Sequence, residues 1–188
     1  MSNYVGLDIE TTGLEPSENH RLIQFGIYFQ RDGDTLVRDI LPMGTMVLDP
    51  EAMKVNGFSL ARIQAGSPND EADEEIVQWL EAKGIEPDSL TAVGFNVGWF
   101  DQHGFIKKEL PKTAKFFGRR SVDLTGITYL FSEIESKPRE QVKNEIRDTV
   151  AKRLVGKAMW HDAGYDARAA IETFVVMQEM LKEIKLAV

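Results

Sequence analysis

Hydrophobic and polar positions divide the chain into two parts, of which the first has the pattern of strands. Short apolar runs predict strands at 3–9, 21–30 and 35–48, the last one bent near Pro42. The segment RDGD at 31–34 is typical of a hairpin turn between the second and third of these strands. The simplest arrangement of this part is therefore an antiparallel three-strand meander.

Helical spacing dominates the second part of the chain, with two strands set between helices. The apolar runs TAVGFN and SVDL predict these two strands, at 91–96 and 121–124. Helices are predicted from apolar residues spaced three or four apart and from the glycine or proline residues that stop them. They cover 51–57, 59–66, 70–83 and 98–110, further segments up to about 155, and about 163–185. The whole pattern predicts an α/β fold, with a mixed five-stranded sheet flanked by helices.

Length and composition narrow the class of protein. A chain of 188 residues suits one compact domain, so we expect residues 1–188 to form a single domain. The sequence has no cysteine, which excludes disulfides and thiolate metal sites and fits a reducing cytoplasm. No apolar run approaches the roughly 20 residues of a membrane span, and no signal peptide is visible.

The charge balance limits how the protein would meet a nucleic acid. The net charge of −8 argues against a protein that grips nucleic acid by bulk positive charge. It leaves room for an enzyme that meets phosphate groups through bound metal ions.

Two carboxylates interrupt the first strand where burial should be deepest. Asp8 and Glu10 flank Ile9, so their side chains point to the same face, with Cβ atoms about 7 Å apart. Two buried and unpaired carboxylates are costly, so a cation, a basic partner or solvent must lie beside them. A strand end that surfaces into water is the alternative. The residues TTG at 11–13 favour a tight turn at which backbone approaches a ligand.

Two further polar clusters occur at predicted helix starts. In NVGWFD, Asn96 is placed as a helix N-cap and Asp101 falls in the second turn. In HDAGYD, Asp162 is placed as the N-cap of the last helix, between His161 and Asp166. A helix N-terminus disfavours imidazolium and would keep His161 neutral and able to accept a proton. Caps and solvated acids are the structural alternatives for both clusters.

Together the three clusters resemble the DEDDh branch of the DnaQ-like 3′–5′ exonucleases. The family motif D-x-E is matched by Asp8-Ile9-Glu10, N-x3-[FY]-D by Asn96 to Asp101, and H-x4-D by His161 to Asp166. All three motifs occur in order, and the segments DPEAMKVNGFSLARI and SVDLTGIT extend the likeness over nearly the whole chain. The resemblance implies a ribonuclease H-like fold.

The resemblance also implies a site, a reaction and a substrate. Asp8, Glu10, Asp101 and Asp166 would hold two Mg²⁺ or Mn²⁺ ions, with Asp8 bridging them, and His161 would be the general base. The expected reaction removes 5′-mononucleotides from the 3′ end of single-stranded or frayed DNA. A 3′–5′ exoribonuclease of the RNase T or oligoribonuclease kind, and a non-catalytic module for a separate polymerase chain, are alternatives. A domain with incidental carboxylates is another.

Substrate contacts are expected around the same edge. The expected set is Thr11, Thr12, Gly13, Leu14, Phe58, Asn96 and Phe100. Backbone amides at 11–14 would meet the terminal nucleotide, Leu14 would wedge against its base, and the two phenylalanines would stack on bases. Ordinary core packing is the alternative for these three apolar side chains. The basic run KKELPKTAKFFGRR at 107–120 would guide a strand, or else form a solvated loop.

Overall fold

A mixed sheet of six strands forms the centre of the computed structural model, which describes residues 3–154 and 161–186. The strands are β1 (Asn3–Thr11), β2 (Leu22–Phe29), β3 (Asp34–Leu41), β4 (Ser67–Pro68), β5 (Leu90–Gly94) and β6 (Val122–Asp123). Their order across the sheet is β4-β3-β2-β1-β5-β6. The first three strands pair antiparallel, and β5 pairs parallel to both β1 and β6. The predicted meander with two parallel strands is thus confirmed, with two-residue β4 added at the edge.

Helices cover both faces of this sheet. They are α1 (Pro50–Asn56), α2 (Leu60–Gln64), α3 (Asn69–Ala82), α4 (Lys107–Glu109), α5 (Leu124–Glu135), α6 (Arg139–Arg153) and α7 (Ala163–Leu186). A π-helix, Val97–Ile106, runs directly into α4, and 3₁₀ turns occupy Pro16–Glu18 and Thr113–Phe116. Over the described part of the chain, no helix combines the length and apolarity needed to cross a membrane.

Two predicted elements differ from the structure. The third strand was expected to reach residue 48 but ends at Leu41, because Pro42 has no N–H for the ladder and Gly44 adopts a left-handed φ of 86°. The helix expected at 98–110 is mostly a π-helix, in which the Lys107 N–H donates to the carbonyl of Gln102, five residues earlier. Part of the predicted segment up to residue 155 lies outside the described residues.

The two faces of β1 pack against different layers. Val5, Leu7 and Ile9 are buried in the core that includes α3. The alternate residues face α7, where the ring of Tyr4 meets that of Phe174 at 5.3 Å. Side chains alternate along a strand, so Asp8 and Glu10 share this second face.

Two glycines let α7 approach the sheet closely. A Cβ atom at Gly6 would lie 1.8 Å from the carbonyl oxygen of Ala167, and one at Gly26 would lie 2.2 Å from the carbonyl group of Ala163. Gly26 also pairs with Asp8 across the β1–β2 ladder. The N-terminal end of α7 therefore sits directly over the strand positions that carry the carboxylates.

We predict that Gly6→Ala displaces α7. Because the new methyl group would meet backbone, the substitution should lower the free energy of unfolding by about 3 kcal/mol. Gly126→Ala is the matched control, since a Cβ there meets nothing within 4 Å and Ala favours the interior of helix α5 by about 0.5–1 kcal/mol. Urea denaturation of both variants measures the difference, and equal stabilities would contradict the close contact.

Candidate active site

The carboxylates of β1 lie at the edge where three parallel strands end. Strands β1, β5 and β6 run in the same direction, so their carboxyl ends meet at one side of the sheet, which is where ligands bind in α/β folds. Glu10 is buried near the end of β1, and Asp8 retains part of its exposed surface. Both face the N-terminus of α7 rather than open solvent.

The start of α7 brings a second pair of groups to this edge. Oδ1 of Asp162 accepts from the N–H of Tyr165 at 3.2 Å, which confirms the predicted N-cap. Oε1 of Gln24, on β2, accepts from the N–H of Ala163 at 2.7 Å and anchors the helix end to the sheet. His161 has a left-handed φ of 67°, and its N–H donates to Oδ2 of Asp166 at 2.8 Å. This bond fixes the carboxylate of Asp166 relative to the chain that carries the imidazole.

Three potential metal-ligating groups converge at this point. Ligand atoms of Glu10, His161 and Asp166 all lie within 4.8 Å of one another. Together with Asp8 they line a cavity of about 410 Å³ that continues between α5, α6 and α7. The first and third sequence motifs therefore meet in one cleft, as predicted.

Asp101 approaches the same cluster from the π-helix. Its side chain is 3% exposed, and its negative charge contributes to raising the pKa of Asp8. It is absent from the cavity lining and from the group of ligand atoms formed by Glu10, His161 and Asp166. The pKa of Asp101 is itself raised, first by burial and then by Asp123 and Glu10.

The pKa values of the carboxyl groups show an accumulation of like charge. Burial, followed by the charges of Asp101, Asp166 and Glu10, raises the pKa of Asp8 well above its usual range. Burial and the charge of Asp166 raise the pKa of Glu10 to about 8, and burial raises that of Asp166 to about 6. Such a site is stabilised by added positive charge.

The donor set fits hard divalent cations. Carboxylate oxygens are the ligands that Mg²⁺ and Mn²⁺ prefer, and the chain offers no thiolate. The carboxylates of β1, the π-helix and α7 repel one another, and cation binding is the simplest way to offset this repulsion. Arg62 lowers the pKa of Glu10 and Arg147 lowers that of Asp166, yet both pKa values remain raised.

The TTG segment forms the expected tight turn, but its hydroxyl groups make structural bonds. Thr11 Oγ1 donates to the carbonyl of Gly13 at 2.7 Å, and Thr12 Oγ1 accepts from the N–H of Arg21 at 2.9 Å. The ring of His20 packs where a Cβ of Gly13 would be, 2.5 Å from its nearest ring atom. Substrate contact by this turn stays a prediction, and it would have to use backbone groups.

The remaining predicted substrate residues have different surroundings. Leu14 is 67% exposed, which leaves it free to contact a base. Phe58 is buried with the guanidinium of Arg62 3.7 Å above its ring, and Phe100 packs on Phe105 at 5.1 Å, so both occupy core positions. Their roles toward substrate stay predictions.

Asn96 corrects one expectation from the sequence. It precedes the π-helix in left-handed backbone (φ 56°), and its side chain makes no capping hydrogen bond. Its N–H instead donates to Oδ1 of Asp123 at 3.2 Å. The predicted side-chain cap is therefore wrong, because the left-handed backbone turns the residue out of the capping geometry, while its exposed side chain remains available to a ligand.

Several residues at the site were not singled out from the sequence. Phe95, 47% exposed at the end of β5, lines the cavity, and Lys143 and Arg147 reach it from α6. Asp123 accepts from Thr125 N–H at 2.9 Å as well as from Asn96. Phe95 follows β5 and Asp123 ends β6, so their positions at the carboxyl ends of parallel strands could have predicted them as site residues. No sequence pattern around Lys143 and Arg147 predicts that they reach the cavity.

Comparisons with known proteins give a family match for most of the chain. The sequence profile of the family described as RNase_T, Exonuclease, matches residues 5–174. No curated protein matches the sequence significantly.

Solved structures of nucleases share the fold at low sequence identity. Cell-death related nuclease 4 (CRN-4) has a TM-score of 0.69 and 19% identity, over 96% of this chain and 64% of that one. A 3′-exonuclease described in recognition of a histone mRNA stem-loop has a TM-score of 0.65 and 15% identity, over 95% and 82%. E. coli exonuclease I in complex with single-stranded DNA has a TM-score of 0.64 and 16% identity, over 94% and 40%. The chain thus spans less than two thirds of the first and third of these proteins.

We predict that the metal-free protein becomes less stable as pH rises from about 4.5 to about 8. Over this range Glu10 ionises in the unfolded chain, whereas in the folded state its pKa of about 8 keeps it protonated. The free energy of unfolding therefore falls as pH rises, until pH exceeds about 8. In EDTA, Glu10→Gln should raise Tm at pH 8.5 by about 4 °C or more and leave it unchanged near pH 4.5.

The control for this measurement is Glu133→Gln, which removes an exposed carboxylate of α5 outside the cluster. It should leave the pH profile of Tm unaltered. Added Mn²⁺ should raise Tm of the wild type more than that of Glu10→Gln. If the profiles of Tm against pH were parallel for all three proteins, the idea that Glu10 carries an uncompensated charge in the folded state would be refuted.

Proposed function

Because the chain belongs to the Exonuclease family whose profile matches residues 5–174, we propose that it is a metal-dependent 3′–5′ exonuclease. The proposed reaction hydrolyses the last phosphodiester bond of a strand and releases a 5′-mononucleotide. The proposed substrate is the 3′ end of single-stranded or frayed DNA.

One observation supports this proposal: carboxylates from three distant segments accumulate near the end of β1, where Asp8, Glu10 and Asp166 line the cleft and Asp101 is buried outside its lining. The charges of Glu10, Asp101 and Asp166 each raise the pKa of Asp8, so all three act on one carboxyl group. A purely structural domain gains nothing from such a cluster, because like charges in a buried place destabilise the fold. Binding of cations and phosphate chemistry give the cluster a purpose.

Two divalent ions held by these carboxylates would neutralise phosphate charge and lower the pKa of an attacking water. Asp8 is proposed as the shared ligand, because it alone responds to the charges of all three other carboxylates. Glu10 and Asp166 would hold the ion nearer the imidazole, and Asp101 would support the ion on the far side of Asp8. The fixed hydrogen bond from the His161 N–H positions Asp166 for this role.

His161 is proposed as the general base that takes a proton from the attacking water. Its ring nitrogen lies within 4.8 Å of carboxylate oxygens of Glu10 and Asp166, and its side chain is exposed at the cavity mouth. A neutral imidazole there can accept a proton beside the reacting phosphate and release it to solvent.

The rim of the cavity suits a terminal nucleotide. Phe95 has an exposed ring and lines the cavity together with Asp8 and Glu10. A base of any identity can stack on such a ring. Leu14, exposed after the TTG turn, is proposed to wedge against the terminal base. RNA is the second candidate substrate, since one structural neighbour is described with a histone mRNA stem-loop and another with single-stranded DNA.

Three further expectations are kept as proposals. Residues 1–188 are taken as a single exonuclease domain, and the protein is taken to act in the cytoplasm, which the absence of cysteine suits. A polymerase in a separate chain is the proposed protein partner for a proofreading role.

We predict that Asp166→Asn lowers hydrolysis at least about a thousandfold, because the amide keeps an acceptor for the His161 N–H but loses the negative charge. The assay uses 5′-labelled DNA and RNA strands of one sequence, with Mg²⁺, Mn²⁺ or EDTA. Stepwise shortening of DNA by the wild type, with none in EDTA, is the expected result. Faster shortening of RNA would reassign the substrate and leave the mechanism intact.

The control for this assay is Asp148→Asn, which removes an exposed carboxylate from α6. It should shorten DNA at the wild-type rate. An Asp166→Asn protein with full activity would remove the carboxylate cluster from the reaction.

We predict that His161→Ala loses about a hundredfold or more of the rate at pH 7, as expected when a general base is lost. The loss should narrow as pH rises, because hydroxide replaces the missing base. Single-turnover rates measured between pH 6 and 10 provide the profile. If the variant kept the wild-type profile, the imidazole would have no part in proton transfer.

A further inference from the structure

A second cavity borders the π-helix outside the carboxylate cluster. It has a volume of about 420 Å³ and is lined by the last part of the π-helix and by the segment at 107–119. Its charged lining consists of Lys107, Lys115 and Arg119, and its lining includes no carboxylate. The basic run noted in the sequence therefore forms the wall of a cavity rather than a featureless solvated loop.

The positive charge of this cavity is not neutralised by the protein. Lys107, Lys115 and Arg119 are exposed, and none of them forms an ion pair with any residue that the structure describes. Lys112, in the same run, differs because its ammonium group pairs with Glu74. Three uncompensated cations in one place are unusual on a chain with a net charge of −8.

The chain that carries these cations is held rigidly. The carboxylate of Asp73 accepts from the N–H groups of Lys112 and Thr113 at 2.9 and 2.8 Å. On the other side, Gly118 N–H donates to the carbonyl of Leu90 at 2.8 Å, at the edge of the sheet. Bonds to both α3 and β5 thus fix the backbone of the segment, which keeps the three cationic side chains around one cavity.

The cavity also has an apolar floor and an unused donor. Ile106 and Phe117 contribute buried apolar surface. Gln102 lines the cavity, and its amide nitrogen is buried with no hydrogen-bond partner among the described residues. The amide nitrogen is inaccessible to solvent, so a ligand in the cavity would reach it only after the Gln102 side chain turned.

From these features we infer that the cavity binds the phosphate group of a nucleotide or of a nucleic-acid strand. Several separate cations suit an anion with several oxygens, and the apolar floor suits the sugar or base attached to it. The preference for a phosphate group is argued from the cavity alone, whereas the choice of a nucleotide as its carrier rests on the proposed function. The two sources are a free 5′-mononucleotide and the backbone of the bound strand.

The experiment measures binding by the full chain in EDTA, where no hydrolysis is expected. The probes are deoxythymidine 5′-monophosphate, followed by calorimetry, and fluorescein-labelled (dT)₁₂, followed by anisotropy at several salt concentrations. The test variant is the triple substitution K107Q/K115Q/R119Q. Its control is K108Q/R120Q, which removes two charges instead of three, from exposed residues of the same run that do not line the cavity.

The triple substitution should weaken binding of at least one probe about tenfold, whereas the control should change it less than twofold. Loss confined to the mononucleotide identifies a free nucleotide as the ligand. Loss of (dT)₁₂ affinity identifies the strand as the ligand. The slope of log K against log salt concentration should then become shallower by about 2, since each of the three lost contacts to single-stranded DNA removes about 0.7. Unchanged binding of both probes, or equal losses in the triple and control variants, would overturn the inference. Because these results do not depend on hydrolysis, an inactive but binding protein would count against the proposed function only.

Discussion

The close contact between α7 and the first two strands is the constraint on which the rest of the site depends. Gly6 and Gly26 leave space for the backbone of α7 at Ala167 and Ala163, where any side chain would collide. The helix end is then held by the bond from the Ala163 N–H to Gln24. Only this approach allows the residues just before and inside the helix to reach the carboxylates of β1, so the small side chains of the sheet decide the position of the chemistry.

The contact creates an electrostatic cost at Asp8 that another carboxylate of the fold does not have. Another buried carboxylate of the chain, that of Glu109, accepts from Nε and Nη2 of Arg21 at 2.9 and 3.0 Å and from Asn69. Asp8 has no such partner among the described residues, and its pKa is raised by its neighbours rather than lowered. Two acids of one domain thus have opposite environments, and the one without a cationic partner lies where the parallel strands end. Sites that break a local rule of stability in this way are typically functional.

The sequence predicted the features that depend on local periodicity and failed where distant segments decide. Strand alternation placed Asp8 and Glu10 on one face, and helix-start chemistry placed Asp162 as a cap, which the bond to Tyr165 confirms. The third strand was predicted to end at residue 48 but ends at Leu41. The apolar residues that continue past Pro42 have no partner strand. The contribution of α6 to the cavity could not be predicted, since its contacts with α7 form only in the folded chain.

The π-helix shows how one short element can serve two surfaces. Its hydrogen bonds close five residues back, so residues four or five apart share a face, and Val97, Asp101 and Phe105 are all buried toward the sheet. Gln102, the next residue along from Asp101, borders the basic cavity instead. An acidic group and a basic cavity therefore occupy adjacent positions of one element without facing each other. This separation keeps the cations of the segment at 107–119 from pairing with the carboxylates, and so leaves both charged sites free for ligands of opposite sign.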